Sequence, residues 1–312
     1  MSSIPIFLAS DDGCAPFVAT TMASILCNTK SYVDFYVLVE KISVSNKRLI
    51  RALGDKFMNF SVEFIEVDAK NIFNGFFVKE HHHVTLIGYS RFLIPKLKPN
   101  INKAIYLDVD TIVLRDIVEF YNENLNGYII GAIWEESLDE SVNNILRKNI
   151  MQFSQSHKYF NSGVLLIDCQ KWRENNIEEK LFSMDKMYPQ RSTHDQDILN
   201  KCFDNNYQQL DKKYNYLNQD CFSLKANSDI VVRHFNGKIK PWHCDCCCNS
   251  DFEHKTIQPI KHFEEFWFFA KMTSFYEELW QNYEKSAENF KRKLRVAALI
   301  AAKRKEYAEK NV

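Results

Sequence analysis

Two aspartates separated by one residue, Asp108 and Asp110, follow directly on the apolar run Ile-Tyr-Leu at 105–107. The run predicts a buried strand. Side chains of an extended chain alternate, so both carboxylates point to the same side. In parallel α/β sheets, ligands bind at the carboxyl ends of strands, which is where this pair would lie. Two hard oxygen ligands there suit a Mg²⁺ or Mn²⁺ ion that also holds a diphosphate. The simpler alternative is that the two aspartates belong to an Asp-rich turn after the strand.

A second group of candidate residues follows a predicted strand that ends at His234. Its imidazole could supply a nitrogen ligand to the same cation, which would favour Mn²⁺ over Ca²⁺. Gly237 permits a close approach of the backbone to a ligand, and Lys240 offers a positive charge to phosphate. The alternative for His234 is a buried structural histidine that is satisfied by its own hydrogen bonds.

Three further segments carry polar side chains at predicted strand or helix ends. Asn161 offers a donor and acceptors, which suits sugar hydroxyls, and it also fits a turn beside Gly163. Asp195 and Gln196 precede an apolar helix face; the pair can bind hydroxyls and face an electrophilic carbon, or Asp195 can be an N-cap. The first strand ends in Ala-Ser-Asp-Asp-Gly at 9–13, with no Gly-rich phosphate loop. Its carboxylates can accept hydrogen bonds from a base or a ribose, or cap a helix.

The stretches between these segments predict alternating strands and helices. Strands are expected at 4–9, 34–39, 62–66, 104–107, 129–133 and 164–168. Helices are expected at 16–26, 43–57, 86–94, 183–187 and 195–203, and Pro95 should end the third of them. This order predicts an α/β fold with a mostly parallel sheet and helices on both faces.

Composition excludes several classes of protein. The 312 residues fit either two domains or one large α/β domain, and the equal numbers of basic and acidic residues, 40 each, leave no global charge to recruit nucleic acid. The N-terminus lacks the order of a signal peptide, and the apolar runs are far shorter than the ~18 residues of a membrane span. The nine irregularly spaced cysteines indicate thiols in a reducing cytoplasm. The cluster at 244–248 lacks the spacing of a zinc site.

Taken in order along the chain, these segments resemble glycosyltransferase family 8. These retaining transferases include bacterial lipopolysaccharide galactosyl- and glucosyltransferases. The matching segments are Ala-Ser-Asp-Asp at 9–12, Tyr-Ser-Arg at 89–91, Tyr-Leu-Asp-Val-Asp at 106–110, Phe-Asn-Ser-Gly-Val-Leu-Leu-Ile at 160–167, Lys-Trp-Arg at 171–173, Asp-Gln-Asp-Ile-Leu-Asn at 195–200, and the stretch from His234 to Trp242. The resemblance implies a Rossmann-like GT-A catalytic domain, which we place at 1–248.

The resemblance also implies a site. It implies a UDP-linked sugar donor and a Mn²⁺ (or Mg²⁺) ion held by Asp108, Asp110 and His234. It assigns Gln196, Asp195 and Glu135 to catalysis, with Glu135 on the acceptor side. Because an amide is a poor nucleophile, we expect Gln196 to stabilise an oxocarbenium-like state, and retention by a covalent intermediate or by front-face attack stays open. The residues expected to bind the nucleotide sugar are Ala9, Asp11, Asp12, Gly13, Arg91, Asp108, Val109, Asn161, Gly237 and Lys240.

The function implied is transfer of galactose or glucose from a UDP-hexose to an oligosaccharide or lipid-linked glycan acceptor, such as a lipopolysaccharide or lipooligosaccharide core. An alternative class is a haloacid-dehalogenase-like phosphatase with Asp108 as nucleophile, followed by Asp110 and Thr111. That motif normally opens its fold, whereas three predicted strands precede it here. A lectin-like module without catalysis is a third alternative.

The region 249–312 is expected to be a helical extension that is rich in aromatic and basic residues. Its part from 290 to 305 holds seven basic residues and no acidic one, around the apolar stretch 296–302. Such a helix can lie on an anionic membrane surface. We therefore expect a peripheral enzyme on the cytoplasmic face of the inner membrane. The aromatic segment 263–280 would either join that contact or pack on the catalytic domain.

Overall fold

The computed structural model describes residues 3–78, 86–136, 142–217, 229–237, 240–243 and 262–288. Two expectations fall outside these residues: the cysteine cluster at 244–248 and the basic stretch 290–305. The fold within the described ranges is an α/β arrangement around one large sheet, as the alternation of segments predicts.

Seven strands form the main sheet in the order β3-β2-β1-β4-β7-β6-β8. They are β1 (Ile4–Ser10), β2 (Val33–Val39), β3 (Phe60–Glu66), β4 (Lys103–Leu107), β6 (Ile130–Trp134), β7 (Phe160–Asp168) and β8 (Gln208–Gln209). Neighbouring strands run parallel except around β7, which is antiparallel to both β4 and β6. The prediction of a mostly parallel sheet is therefore confirmed, with one reversed strand, β7, in its interior.

The reversed strand matters because its beginning, rather than its end, lies beside the carboxyl ends of β1 and β4. It starts at Phe160, so Asn161 and Gly163 lie inside the strand and the predicted turn there is wrong. Leu107 pairs with Val164, and the next backbone N–H along β4, that of Asp108, donates to the carbonyl of Gly163 at 2.7 Å. Polar residues from the start of β7 are thus brought to the Asp108 pair.

A small second sheet places His234. It contains β5 (Thr111–Val113), β9 (Tyr216–Leu217) and β10 (Val232–His234), in the order β5-β10-β9. Thr111 pairs with His234 in the antiparallel β5–β10 register. The turn that carries Asp108 and Asp110 leads directly into β5, so this pairing returns the end of β10 to the two aspartates.

Helix α1 (Ala15–Asn28) holds that turn through a buried polar face. The Thr21 hydroxyl donates to the carbonyls of Thr111 at 2.8 Å and Val109 at 3.1 Å. One turn further on, the Ser24 hydroxyl accepts the N–H of Val113 at 2.9 Å. Residues three apart share a helix face, so α1 satisfies backbone groups that a turn and a short strand leave open.

The remaining helices cover both faces of the main sheet, each face with its own buried cluster of apolar side chains. Pro95 lies in the first turn of Ile94–Leu97, after a 3₁₀ helix at Leu86–Leu93, so it begins a helix rather than ending one. The α-helices after α1 are α2 (Val44–Arg51), α3 (Ala69–Ile72), α4 (Ile94–Leu97), α5 (Val118–Tyr121), α6 (Val142–Met151), α7 (Cys169–Glu174), α8 (Ile177–Met187), α9 (Asp195–Cys202) and α10 (Phe263–Ala270). Residues 276–288 are also helical.

The aromatic segment packs on the catalytic core. The side chains of Phe263, Phe266 and Phe269 are buried in the same cluster as strands β1 and β2. Arg233, next to His234, forms an ion pair with Glu265 of α10 at 2.6 Å. Packing on the catalytic domain, one of the two alternatives for this segment, is therefore confirmed for these side chains. Within the described parts of the chain, no helix has both the length and the apolar composition needed to cross a membrane.

Candidate active site

Asp108, Asp110 and His234 come together at the carboxyl end of β4. Each offers one ligand atom, and the three atoms lie within 4.8 Å of one another. The His234 Nε2 atom is 3.1 Å from Asp110 Oδ1 and 3.9 Å from Asp108 Oδ2. Two carboxylate oxygens and an imidazole nitrogen form a donor set that suits Mn²⁺ or Mg²⁺, so the chemistry of the cluster fits a divalent cation.

Gly163 on β7 makes room for this cluster. A Cβ atom at that position would lie 2.4 Å from His234 Cε1 and 2.5 Å from Asp108 Oδ2. No side chain fits at such distances, so the glycine is required for space rather than for an unusual φ angle. The close approach of β7 to the aspartate turn thus depends on the absence of a Cβ atom at position 163.

Lys240 reaches the cluster from the loop after β10. Its Nζ forms an ion pair with Asp110 Oδ2 and donates to the carbonyl of Phe235 at 2.6 Å. Burial alone would raise the pKa of Asp110, but the charge of Lys240 and the neighbouring His234 outweigh it and hold that pKa well below its ordinary value. Asp110 is therefore an anion, ready to bind a cation.

The loop that carries Lys240 is fixed at two points. Gly237 has a φ of +76°, a left-handed conformation that favours glycine. Two residues after Lys240, Trp242 stacks on Phe17 of α1 with ring centroids 3.8 Å apart, and it also contacts Phe266 of α10. The stacking ties the loop to the same helix that supports the aspartate turn.

Arg91 is buried between two carboxylates. Its guanidinium is 3.0 Å from Asp108 Oδ1 and 3.1 Å from Asp195 Oδ2, and it donates to the Ser162 carbonyl at 2.7 Å. Burial would lower its pKa, but Asp108 and Asp195 raise it above the ordinary value. The Arg91 guanidinium also lies over the Tyr106 ring, 4.3 Å from its centroid. The charge of Arg91 is thus directed at protein carboxylates.

Asp195 and Gln196 open helix α9, whose N-cap position is His194, so the alternative of Asp195 as N-cap is wrong. Gln196 Oε1 accepts the backbone N–H of Ser162 at 3.0 Å, and Asp195 Oδ2 accepts the Ser162 hydroxyl at 3.2 Å. Further along α9, the Asn200 side chain pairs with both backbone groups of Phe160 at 2.8 Å. Helix α9 is therefore fastened to the beginning of β7, beside the cluster.

Glu135, rather than its neighbour Glu136, faces the site. Glu135 is buried and Glu136 is exposed. Asn161 Nδ2 donates to Glu135 Oε2 at 3.3 Å, which links the end of β6 to the start of β7. Asn161 Oδ1 accepts the N–H of Gly163 at 3.0 Å and the side-chain amide of Asn215 at 2.9 Å.

In the loop after β1, the two aspartate carboxylates accept hydrogen bonds from nearby groups of the protein. Asp11 Oδ1 accepts the N–H of Cys14 at 2.9 Å and caps a 3₁₀ helix at Asp12–Cys14. Asp12 Oδ1 accepts the backbone N–H of Ser43 at 2.9 Å and the amide of Asn46 at 2.7 Å. The capping alternative is therefore confirmed for Asp11. Ala9 is half-buried near the end of β1, while Asp12 and Gly13 are exposed. These hydrogen bonds join the loop to α2 and not to the aspartate cluster.

Sequence reasoning missed Ser162 and Asn215. Ser162 lies inside a matched segment, but nothing in its type marks it as the partner of Arg91, Asp195 and Gln196 together. Asn215 belongs to none of the matched segments, yet it is completely buried and its Oδ1 lies 3.0 Å from His234 Nδ1. Only the pairing of β9 with β10 brings it there.

Comparison with known proteins identifies the family. The model of "Glycosyl transferase family 8" matches residues 5–246. The chain belongs to this family. A "Putative glycosyltransferase" of Haemophilus influenzae is 32% identical over 248 residues, covering 77% of this chain and 73% of the relative. The "General stress protein A" of Bacillus subtilis is 30% identical over 258 residues, covering 76% and 87%. This glycosyltransferase therefore shares most of its length with both relatives.

Two further similarities extend the comparison, and the first confirms the expected GT-A fold. The crystal structure of the galactosyltransferase LgtC with donor and acceptor sugar analogs superposes with a TM-score of 0.74 at 24% identity, covering 87% of this chain and 96% of that one. The "Lipopolysaccharide 1,3-galactosyltransferase" of Salmonella typhimurium is 26% identical, covering 74% of this chain and 69% of the relative. The phosphatase alternative finds no support, since the family match includes the three strands that precede β4 and its aspartate pair.

Proposed function

We propose that this family 8 glycosyltransferase moves a hexose, galactose or glucose, from a UDP-sugar to a glycan acceptor with retention of configuration. The observation that carries the proposal is the cluster of Asp108, Asp110 and His234, which the chain assembles from two sheets with Lys240 at its edge. A nucleoside diphosphate leaving group needs positive charge at such a place, since negative charge grows on it as the sugar departs.

We assign the divalent cation, Mn²⁺ or Mg²⁺, to Asp108, Asp110 and His234. When bound there, a divalent cation would neutralise charge on the diphosphate. The donor set supports the assignment, and so does the space that Gly163 leaves around it. A nitrogen ligand favours Mn²⁺ over Ca²⁺.

Lys240 would then carry the protein's own positive charge to the diphosphate. It lies in a loop that Trp242 and Gly237 hold, and its present partner is the Asp110 carboxylate. An ammonium group next to the departing oxygens stabilises the transition state more than the ground state, which is the requirement for a gain in rate.

Gln196 and Asp195 would face the sugar, with the Gln196 carboxamide as an electrostatic stabiliser of an oxocarbenium-like state. Ser162 fixes both side chains at the start of β7. Arg91 would act by holding Asp108 and Asp195, its two carboxylate partners, rather than by binding phosphate. Asn161, Gly237 and the loop formed by residues 9–13, with Val109, would complete the donor pocket.

The acceptor would be an oligosaccharide or a lipid-linked glycan such as a lipopolysaccharide core, and Glu135 would lie on the acceptor side. The similarity to the lipopolysaccharide galactosyltransferase supports this choice. We further propose a catalytic domain at 1–248 and a C-terminal region at 249–312 that holds the enzyme to the cytoplasmic face of the inner membrane. The family match at residues 5–246 supports the division, and the charge of 290–305 supports the contact.

The test is a panel of UDP-sugars incubated with the purified protein and Mn²⁺, in which release of UDP is measured with and without chelator. UDP-galactose or UDP-glucose should be consumed in a Mn²⁺-dependent manner, and Asp110→Ala should abolish the activity while leaving the circular dichroism spectrum unchanged. Full activity of the Asp110 variant in excess chelator would overturn the metal assignment. Inorganic phosphate released from simple phosphomonoesters would favour a phosphatase, and absence of turnover with every donor would favour a lectin-like module.

A further inference from the structure

A line of buried side chains runs from the backbone of β7 to the imidazole of His234. The N–H of Gly163 donates to Asn161 Oδ1 at 3.0 Å, and Asn215 Nδ2 donates to the same oxygen at 2.9 Å. Asn215 Oδ1 then lies 3.0 Å from His234 Nδ1. Asn215 is completely buried, and the exposed fractions of Asn161 and His234 are only 7% and 3%. At such burial every polar group in the line must find a matching partner.

The direction of each hydrogen bond in this line follows from its first member. A backbone N–H can only donate, so the Asn161 atom that faces Gly163 must be the carbonyl oxygen. The Asn215 group that faces this oxygen must in turn be the amide NH₂, since two oxygens would repel each other. The other end of the Asn215 amide, its oxygen, therefore faces His234. An oxygen can only accept, so Nδ1 of His234 carries a proton.

We propose that Asn215 is a positioning residue that keeps His234 protonated on Nδ1 and leaves Nε2 to donate its lone pair to the cation. The inference rests on the metal site proposed above. Nε2 is the nitrogen that faces Asp110 and Asp108, and a cation bound between these groups would take the place of any proton on Nε2. Such partners of a metal-binding histidine fix its tautomer and its orientation, and their loss typically reduces metal affinity by about 10–100-fold.

Two substitutions at position 215 separate positioning from packing. Asn215→Leu keeps the volume but removes the acceptor, so the ring can rotate or take the other tautomer. Asn215→Asp keeps an oxygen that accepts from Nδ1, and its carboxyl group, held neutral by burial, can donate its proton to Asn161 Oδ1 in place of the amide. Thr273→Val is the matched control, because Thr273 is also buried but its hydroxyl bonds only the backbone of Ala270 and Phe275, away from the cluster.

The experiment measures the Kd of Mn²⁺ for the full chain without nucleotide, from the electron paramagnetic resonance signal of free Mn²⁺. Melting temperatures are recorded for each variant. We expect Asn215→Leu to raise the Kd about 10–100-fold, whereas Asn215→Asp and Thr273→Val should stay within about threefold of the wild type. His234→Ala is included to establish that the measured site contains His234.

The outcomes distinguish this inference from the proposed function. If His234→Ala binds Mn²⁺ as the wild type does, the metal site itself is misplaced. If His234→Ala loses affinity but Asn215→Leu does not, the metal site stands and the role of Asn215 is wrong. An Asn215→Asp variant that folds and yet loses affinity tenfold or more would also overturn the role of Asn215. That comparison remains decisive even if Asn215→Leu fails to fold.

Discussion

The ammonium group of Lys240 forms an ion pair with Asp110, the carboxylate that lies closest to His234. Lys240 thus uses an oxygen of a residue that we assign to the metal, and it sits where we expect the diphosphate. Lys240 pairs with Oδ2 of Asp110 and His234 faces Oδ1, so a cation bound at Oδ1 would share the carboxylate charge, weaken the ion pair and favour release of Lys240 to the nucleotide. The two proposed roles of Asp110 and Lys240 are therefore coupled through a single contact.

Replacing Lys240 by methionine should change metal and nucleotide binding in opposite directions. Without nucleotide, Lys240→Met should bind Mn²⁺ several-fold more tightly, because the competing ion pair is gone. With Mn²⁺ present, the same variant should bind UDP about tenfold more weakly, since a charge-assisted contact to the diphosphate is lost. Titration calorimetry measures both affinities. Lys213→Met is the control, since Lys213 pairs with Glu119 outside the cluster and its loss should affect neither. Unchanged UDP affinity in Lys240→Met would remove Lys240 from the donor site.

A methyl group at Gly163 should damage the cluster. Gly163→Ala would press its Cβ against His234 and Asp108, so we expect a cost of about 1–3 kcal/mol in stability and at least a tenfold weaker binding of Mn²⁺. Gly54→Ala is the matched control, because a Cβ there meets nothing within 4 Å. The melting temperature and the Mn²⁺ affinity should both be lower for Gly163→Ala than for Gly54→Ala. Equal behaviour of the pair would mean that β7 can move away from the aspartate turn without loss.

The sequence predicted the strands well because most of their apolar runs are buried within the sheet, with the edge strand β3 only half-buried. Five of the runs, from 4–9 to 129–133, correspond to observed strands with shifts of one or two residues at their ends. The reversal of β7 was not predictable in the same way. An apolar run has no direction, so Phe160–Asp168 reads alike whether the strand is parallel or antiparallel. The turn assigned to Asn161 failed for this reason.

The site was predictable where chemistry requires a particular residue type and not where geometry alone decides. Asp108, Asp110 and His234 carry metal-ligating groups at strand ends, and the structure brings them together. Asn215 carries an ordinary amide outside every motif, and its importance arises from the parallel pairing of two short strands, β9 and β10. Pro95 was misread because the same ring that stops a helix in its interior is tolerated in its first turn.

Removing the carboxamide of Gln196 should slow the chemical step more than it weakens nucleotide binding. The Gln196 side chain is held by the N–H of Ser162 beside the cluster, which suits contact with the sugar rather than with the base. Gln196→Ala should lower kcat by about 10²–10³, the range for loss of one electrostatic stabiliser, with the Kd of UDP changed less than threefold. Single-turnover kinetics and UDP titration give the two quantities. A parallel loss of UDP affinity would assign Gln196 to the nucleotide instead.

Neutralising part of the basic tail should release the protein from anionic membranes. The buried side chains of Phe263, Phe266 and Phe269 are already used in the core, so the contact should depend on the charges at 290–305. We expect Lys291→Gln, Arg292→Gln and Lys293→Gln combined to reduce co-sedimentation with anionic liposomes at least tenfold, since each basic residue contributes about 1 kcal/mol near such a surface. The control has the same change in net charge at three exposed lysines of the catalytic part, Lys30, Lys41 and Lys70, all replaced by glutamine. Equal loss in both triple variants would indicate attraction by net charge alone, and equal retention would show that the tail is not the anchor.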